Sequence, residues 1–485
     1  MFIPRPGVAN SPLEITRGEV MTEQLWSMSA GELAAVIASG ATSSREVVDA
    51  HLDRIAAVNG RVNAVVEVLT EQARAAADAA DAHQKAGKPL GRLHGVPFTI
   101  KTNIDYTGSP THEGAESMKD LIAPSDAPVV ERMKRAGGVP IGRTNMPDFG
   151  LRINTVSSLF GATHNPWDYE RTAGGSSGGE GAAIASGMSP IGLGNDIGGS
   201  VRNPAFCNGI ASIKPSIGRI PAGNETAAMN QTISAQIMLD QGILARRVAD
   251  VRTGLEVVMG AHRRDPFAVD APLGGAPVSK RVALVTHPEG GSTHPSIAEG
   301  VRRAGEALSR AGYEVEEVMP PLLIESYLAW SGLIMADTAM SQPILETVMG
   351  KDGLRFLELT NGAFPPPTVE SMFANHQLRD KVARAWQAFF FDYPLIVGPT
   401  WTQPPFHLGF DLESADTAMQ VAEIFRFVLP ANLMGLPAAC VPTGVIDGLP
   451  VGAQIMSRRF REDLCLDAAE AIESDLGIIT PIDPR

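Results

Sequence analysis

The sequence predicts an α/β fold built around one large β-sheet. Short apolar runs rich in Val, Ile and Leu alternate with amphipathic helical segments along the whole chain, as expected of strands joined by helical crossovers. No run approaches the roughly 18 consecutive apolar residues that a membrane helix needs, and no segment repeats. The 485 residues are 44% hydrophobic and 19% charged, with a mean hydropathy of +0.02. That balance suits a large soluble core and excludes a disordered chain.

The elements follow in order. Residues 1–20 hold Pro4, Pro6 and Pro12 but no apolar run, so they read as a tail ahead of an alternative start at Met21. Ser29 with Glu32, and Ser43 with Glu46, are capping boxes that open two helices. Gly40 stops the first, and Val48, Leu52 and Ile55 form one face of the second. An alanine-rich helix is expected over about 71–86, and a strand over 96–100 with Lys101 at its end. A helix over 127–136 stops at Gly137-Gly138, and a buried strand follows over 139–142. A helix of small residues ends at Gly187, a strand covers 190–194, and another helix starts near Ser200. Residues 280–286, 296–311 and 313–318 read as a strand–helix–strand unit. The region 320–390 is helical around Pro365-Pro366-Pro367, and 395–398 and 438–441 resemble core strands.

Charge and cysteine content narrow the function. Lys and Arg number 40 against 54 Asp and Glu, a net charge of −14. This argues against nucleic acid or an anionic membrane as the partner. Cys207, Cys440 and Cys465 are too few for a disulfide framework and lack metal-ligand spacing, which fits a reducing, cytoplasmic setting.

The chemistry concentrates in residues 171–221. Gly192-x-Gly194 has Ile197 where a dinucleotide fingerprint needs its third glycine, and no Gly-Lys-Ser/Thr closes a phosphate loop. Gly174-x-Ser176-x-Gly178 satisfies a nucleophile-elbow pattern, which calls for a downstream histidine such as His294, His376 or His407. Taken alone, the run reads as a flexible glycine loop rather than an elbow. Lys101 alone reads as a solvated surface lysine.

The whole constellation reads differently. Lys101, the Gly174-Gly175-Ser176-Ser177-Gly178-Gly179 run and Gly194-Asn195-Asp196-Ile197-Gly198-Gly199-Ser200-Val201-Arg202 together resemble the amidase signature family of serine hydrolases. The resemblance continues through 213–221, 242–246 with Asp250, 432–437 and 448–454, and is weakest over about 260–400. It implies a single large mixed sheet surrounded by helices, with a helical and loop-rich cap. The implied units are a tail at 1–20 and an amidase domain at 21–485. That domain would comprise a signature core at about 90–250, a divergent substrate region at about 260–400 and a C-terminal core at 395–475.

The resemblance also implies roles. Ser200 would be the nucleophile, Ser176 a bridging serine on a cis peptide bond with Gly175, and Lys101 the base. A serine hydroxyl needs a base to take its proton, and a lysine can be that base only when burial keeps it neutral. Backbone N–H groups of Ile197, Gly198, Gly199 and Ser200 would form an oxyanion hole, helped by the positive end of the helix starting near Ser200. Ser177 would help hold Lys101, and Asp196 with Arg202 would form an ion pair bracing the loop. Two positions depart from the usual pattern: Thr102 follows Lys101 where Asp is usual, and Asn195 stands where Thr or Ser is commoner.

The implied activity is hydrolysis of carbon–nitrogen acyl bonds, with carbamates and esters accessible to the same site and no metal or organic cofactor. The partner is a small-molecule amide, and a homodimer is compatible with the sequence. Leu151, Phe160, Ile237, Met238, Trp330 and Met335 suggest an apolar or aromatic acyl group. The alternative is the A-type component of an amidotransferase, which works in a complex on charged tRNA. No arginine-containing glutamine-gripping segment is found in the C-terminal half, which counts against it.

Overall fold

The computed structural model describes residues 25–226, 231–362 and 365–485. The expected tail at 1–20 lies outside the described residues. Eleven of the described strands join in one sheet. In chain order the strands are β1 (Val65–Val68), β2 (Pro97–Lys101), β3 (Val139–Thr144), β4 (Val156–Ser157), β5 (Gly161–Ala162), β6 (Ile191–Asp196), β7 (Ala211–Lys214), β8 (Asp240–Ala245), β9 (Arg281–Leu284), β10 (Glu314–Glu317), β11 (Leu395–Gly398), β12 (Ala438–Ile446) and β13 (Leu449–Met456). β4 and β5 form a separate ribbon, and the large sheet runs β1-β3-β2-β6-β8-β7-β12-β13-β11-β9-β10.

The sheet is mixed. β2 runs parallel to both β3 and β6, and β9 runs parallel to β10 and β11, while β6–β8, β8–β7, β7–β12 and β12–β13 are antiparallel. Successive side chains on a strand point to opposite faces, and the core shows it. Phe98 and Ile100 of β2, Ile191 and Leu193 of β6, and Ala439 and Val441 of β12 pack on one face with the helices Ala30–Ser39, Pro128–Arg135, Val248–Val258 and Glu462–Leu476. Thr99 and Lys101 therefore face the opposite side. There the helix Gly178–Ala185 lies, and its Glu180 accepts a hydrogen bond from Thr99 Oγ1 at 2.6 Å.

Local sequence explains most of the expected elements. Both capping boxes form, at Ser29 with Glu32 and at Ser43 with Glu46, and Gly40 ends the first helix in the left-handed region. The 280–318 unit is a parallel strand pair joined by the helix Pro295–Arg310. The helical region resolves into Leu323–Val348, Lys351–Asn361 and Val369–Asp392, with Pro365-Pro366-Pro367 in the connection before the last. The helix anticipated near Ser200 is Arg202–Asn208, seven residues long, and Val201 N–H just ahead of it donates to Asp196 Oδ2 at 3.1 Å. Among the described residues no helix is long and apolar enough to cross a membrane.

Candidate active site

Lys101 ends β2 and Asp196 ends the adjacent parallel strand β6. Carboxyl ends of parallel strands are where α/β sheets present ligands, and the glycine-rich segments enter here. Gly192 and Gly194 of β6 have a packing reason: a Cβ at Gly192 would lie 2.0 Å from Glu180 Oε2, and one at Gly194 2.9 Å from Ser177 Oγ. The missing side chains let the helix Gly178–Ala185 press against β6, which carries Ser176 and Ser177 to the strand ends.

Lys101 is fully buried, and its Nζ donates to Ser176 Oγ and to Asn195 Oδ1, each at 2.7 Å. Burial strips water from the ammonium and pushes its pKa down to about 7, against the opposing pull of Glu113, Asp196 and Glu180. Ser176 follows Gly175 through a cis peptide bond. Ser176 and Ser200 line the same cavity, and Ser200 O accepts from Ser177 N–H at 3.2 Å.

The loop after β6 is held by one carboxylate. Asp196 Oδ1 accepts from Gly199 N–H at 2.7 Å and Arg202 Nη2 at 3.0 Å, while Oδ2 accepts from Val201 N–H at 3.1 Å and Arg202 Nε at 3.0 Å. Asn432 Nδ2 adds a bond to Oδ1 at 2.9 Å. Burial alone would raise the Asp196 pKa, but the Arg202 guanidinium outweighs it and holds the carboxyl far below the usual range. Arg202 is itself buried and also donates to Gln454 Oε1, Asn432 Oδ1 and the Val428 carbonyl.

Two expected contributions change. Gly199 N–H belongs to Asp196, so it is not free for an oxyanion, and within this loop the N–H groups of Ile197, Gly198 and Ser200 are the ones without an acceptor among the described residues. Ser177 does not hold Lys101: its buried hydroxyl has no partner among the described residues and faces Gly194, while the longer Asn195 side chain reaches the ammonium. Sequence reasoning noted Asn195 only as a departure from the family pattern. It passed over Glu113, Glu180 and Phe149, single residues in loops or on a small-residue helix with no local pattern to mark them. His294, His376 and His407, the partners an elbow reading would need, are not among the residues lining this cavity.

The cavity encloses about 430 Å³. Phe149, Leu151, Trp330, Ile334, Met335 and Phe425 supply much of its apolar wall, whereas Phe160, Ile237 and Met238 are not part of it. Trp330 is fixed by its indole N–H, which donates to the Ile197 carbonyl at 2.9 Å, and by an edge-on contact with Phe425. A Cβ at Gly198 would stand 2.7 Å from the Trp330 ring, so glycine there lets the indole close over the loop.

The Amidase family profile matches residues 46–466. The chain belongs to the amidase signature family. It is 46% identical over 466 residues to an indoleacetamide hydrolase of Bradyrhizobium diazoefficiens, covering 94% of this chain and 88% of that one. It is 32% identical over 495 residues to the A-type component of a glutamyl-tRNA(Gln) amidotransferase from Salinispora tropica, covering 94% and 99%. A solved 6-aminohexanoate cyclic dimer hydrolase in complex with substrate superposes with a TM-score of 0.80 at 28% identity, covering 94% and 99%. This amidase hydrolyses carbon–nitrogen acyl bonds of small molecules, and its large mixed sheet is the family's fold.

Proposed function

We propose that this amidase cleaves the primary amide of an apolar aromatic acetic acid, of the indoleacetamide kind, through a serine acyl-enzyme. The observation that carries the mechanism is the 2.7 Å contact between a buried, weakly basic Lys101 and Ser176 Oγ. In this scheme Ser200 Oγ attacks the amide carbon while its proton moves to Ser176 Oγ and the Ser176 proton moves to Lys101 Nζ. The developing oxyanion lies against the N–H groups of Ile197, Gly198 and Ser200, and each such donor is typically worth 10²–10³ in rate. The protons then return through Ser176 to the amide nitrogen, the C–N bond breaks, and ammonia leaves. Water repeats the sequence on the ester of Ser200 and releases the carboxylic acid. Asp196 and Arg202 take no proton; they fix the loop that carries Ser200.

The acyl assignment rests on two supports. The cavity wall is aromatic and aliphatic where it surrounds Trp330 and Phe425, and the identity to the indoleacetamide hydrolase exceeds that to the amidotransferase component, 46% against 32%. Three buried, unpaired cysteines agree with work in a reducing cytoplasm. The test is turnover by the purified chain alone on indole-3-acetamide, phenylacetamide, acetamide, an anilide and a carbamate, with Ser200→Ala as the inactive control. Fastest turnover of the two arylacetamides supports the reading. Preference for acetamide overturns the acyl assignment, and a requirement for partner proteins and tRNA revives the amidotransferase alternative.

A further inference from the structure

Two carboxylates line the cavity, Glu113 and Asp337, and among the described residues no lysine or arginine lines it with them. Asp337 is engaged elsewhere, since its Oδ2 accepts from Ser234 N–H at 3.0 Å at the start of the helix Ile233–Met238. Glu113 has no part in the relay above, yet the fold places it beside that relay with care. Its φ is +51°, and its carbonyl accepts from Phe149 N–H at 2.8 Å. The next residue, Gly114, is pressed so close to the 146–147 backbone that a Cβ would lie 2.4 Å from the Met146 carbonyl oxygen. One residue past Phe149, a Cβ at Gly150 would stand 3.3 Å from Ser176 Oγ. The loop that clasps Glu113 thus also covers the bridging serine.

A chain of amides joins the same groups from below. Asn103 lines the cavity beside Glu113, and its side chain favours the ionised carboxylate. Asn103 and Asn195 exchange amide hydrogen bonds at 2.9 and 3.3 Å, and Asn195 Oδ1 accepts from Lys101 Nζ. Glu113 therefore belongs to the Lys101–Ser176 end of the cavity. In the proposed relay Ser176 returns the proton to the departing nitrogen, so that nitrogen must lie at this end. A carboxylate there meets whatever hydrogens the nitrogen still carries. A primary amide always has an N–H to offer, whereas an ester oxygen has none and turns lone pairs toward the negative charge.

We infer that Glu113 is a specificity-determining residue that accepts a hydrogen bond from the leaving nitrogen and so selects primary amides over esters. This inference rests on the proposed relay for its orientation, and it names the leaving-group side that the acyl assignment leaves open. Burial raises the Glu113 pKa to about 7 while Lys101 opposes the rise, so comparisons belong on the alkaline plateau, where the group is ionised.

The test compares kcat/KM at pH 9 for a primary amide and the methyl ester of the same acid, in wild type, Glu113→Ala and Glu113→Gln. The acid is whichever acyl group the wild type turns over fastest. A failed indole assignment therefore shows up in the wild-type panel and leaves the amide-to-ester ratio readable. A hydrogen bond to a charged acceptor is worth about 1.5–3 kcal/mol. Glu113→Ala should accordingly lose roughly tenfold to a hundredfold on the amide with the ester unchanged or faster. Glu113→Gln keeps a neutral acceptor and should fall between the two. Should Glu113→Ala fail to fold, the ratio in Glu113→Gln decides alone. An unchanged amide-to-ester ratio would overturn the inference, and if both rates fell equally it would assign Glu113 to positioning Lys101 instead.

Discussion

Lowering the pH from 8 to 6 should cut kcat/KM about tenfold. The reasoning starts at Lys101, whose ordinary pKa of 10.5 is pushed down to about 7 by burial, while Glu113, Asp196 and Glu180 pull the other way. A base must be unprotonated to act, so activity rises with pH through this value. With a pKa of about 7 the neutral fraction is about 0.9 at pH 8 and about 0.1 at pH 6. An unperturbed lysine would be less than about 1% neutral at pH 8, and the rate would climb tenfold per unit toward pH 10. The two cases are well separated. Burial also raises Glu113 to about 7 and Glu180 to about 8, so the limb belongs to a coupled cluster rather than to one group. Glu180→Gln provides the control, because Glu180 sits under the base and accepts from Thr99 and Thr144. With its own pKa raised to about 8, Glu180 is largely protonated across this limb, so the substitution should leave the limb near pH 7. The assay is kcat/KM on a neutral amide from pH 5.5 to 10.5. A limb near pH 10, or an unchanged profile in Lys101→Ala, would refute a neutral lysine base.

Arg202→Met should destabilise the protein by roughly 3–5 kcal/mol, since it strands the buried Asp196 charge; urea unfolding measures the loss, and Asp196→Leu combined with Arg202→Met should lose less than Arg202→Met alone. Because the Asp196 carboxyl is held below its unfolded value of 3.8, the stability it contributes is full above that pH and disappears only in stronger acid. Gly192→Ala should cost about 1–3 kcal/mol by overpacking, because its Cβ would stand 2.0 Å from Glu180 Oε2; an unchanged melting temperature would contradict that packing. Trp330→Ala should raise KM for arylacetamides roughly tenfold or more relative to acetamide, because it removes an apolar wall that only the aryl group reaches, whereas the lost bond to Ile197 O affects both substrates alike.

Local chemistry wrote much of this molecule directly into the sequence. Ser29 with Glu32 and Ser43 with Glu46 cap helices because a hydroxyl and a carboxylate three residues apart satisfy each other's backbone N–H groups. The apolar runs at 96–100 and 190–194 became adjacent buried strands, and the order of Lys101, Ser176 and Ser200 was enough to indicate a serine hydrolase. What the sequence could not determine is which polar group reaches which. Ser177 and Asn195 both compete for Lys101, and only the approach of helix Gly178–Ala185 to Gly194 turns the serine away and leaves the amide in place. Gly199 N–H is taken at 2.7 Å by Asp196, three residues back, whose carboxylate is fixed from afar by Asn432. Glu113 reaches the cleft because Gly114, next to it, packs on the 146–147 backbone of a segment far along the chain whose Gly150 closes over Ser176. Capping and strand patterning act over a few residues and so are legible in order. Burial, the pKa of Lys101 and the partner that Asn195 finds in it depend on groups tens to hundreds of residues apart, and these were decided only when the sheet assembled.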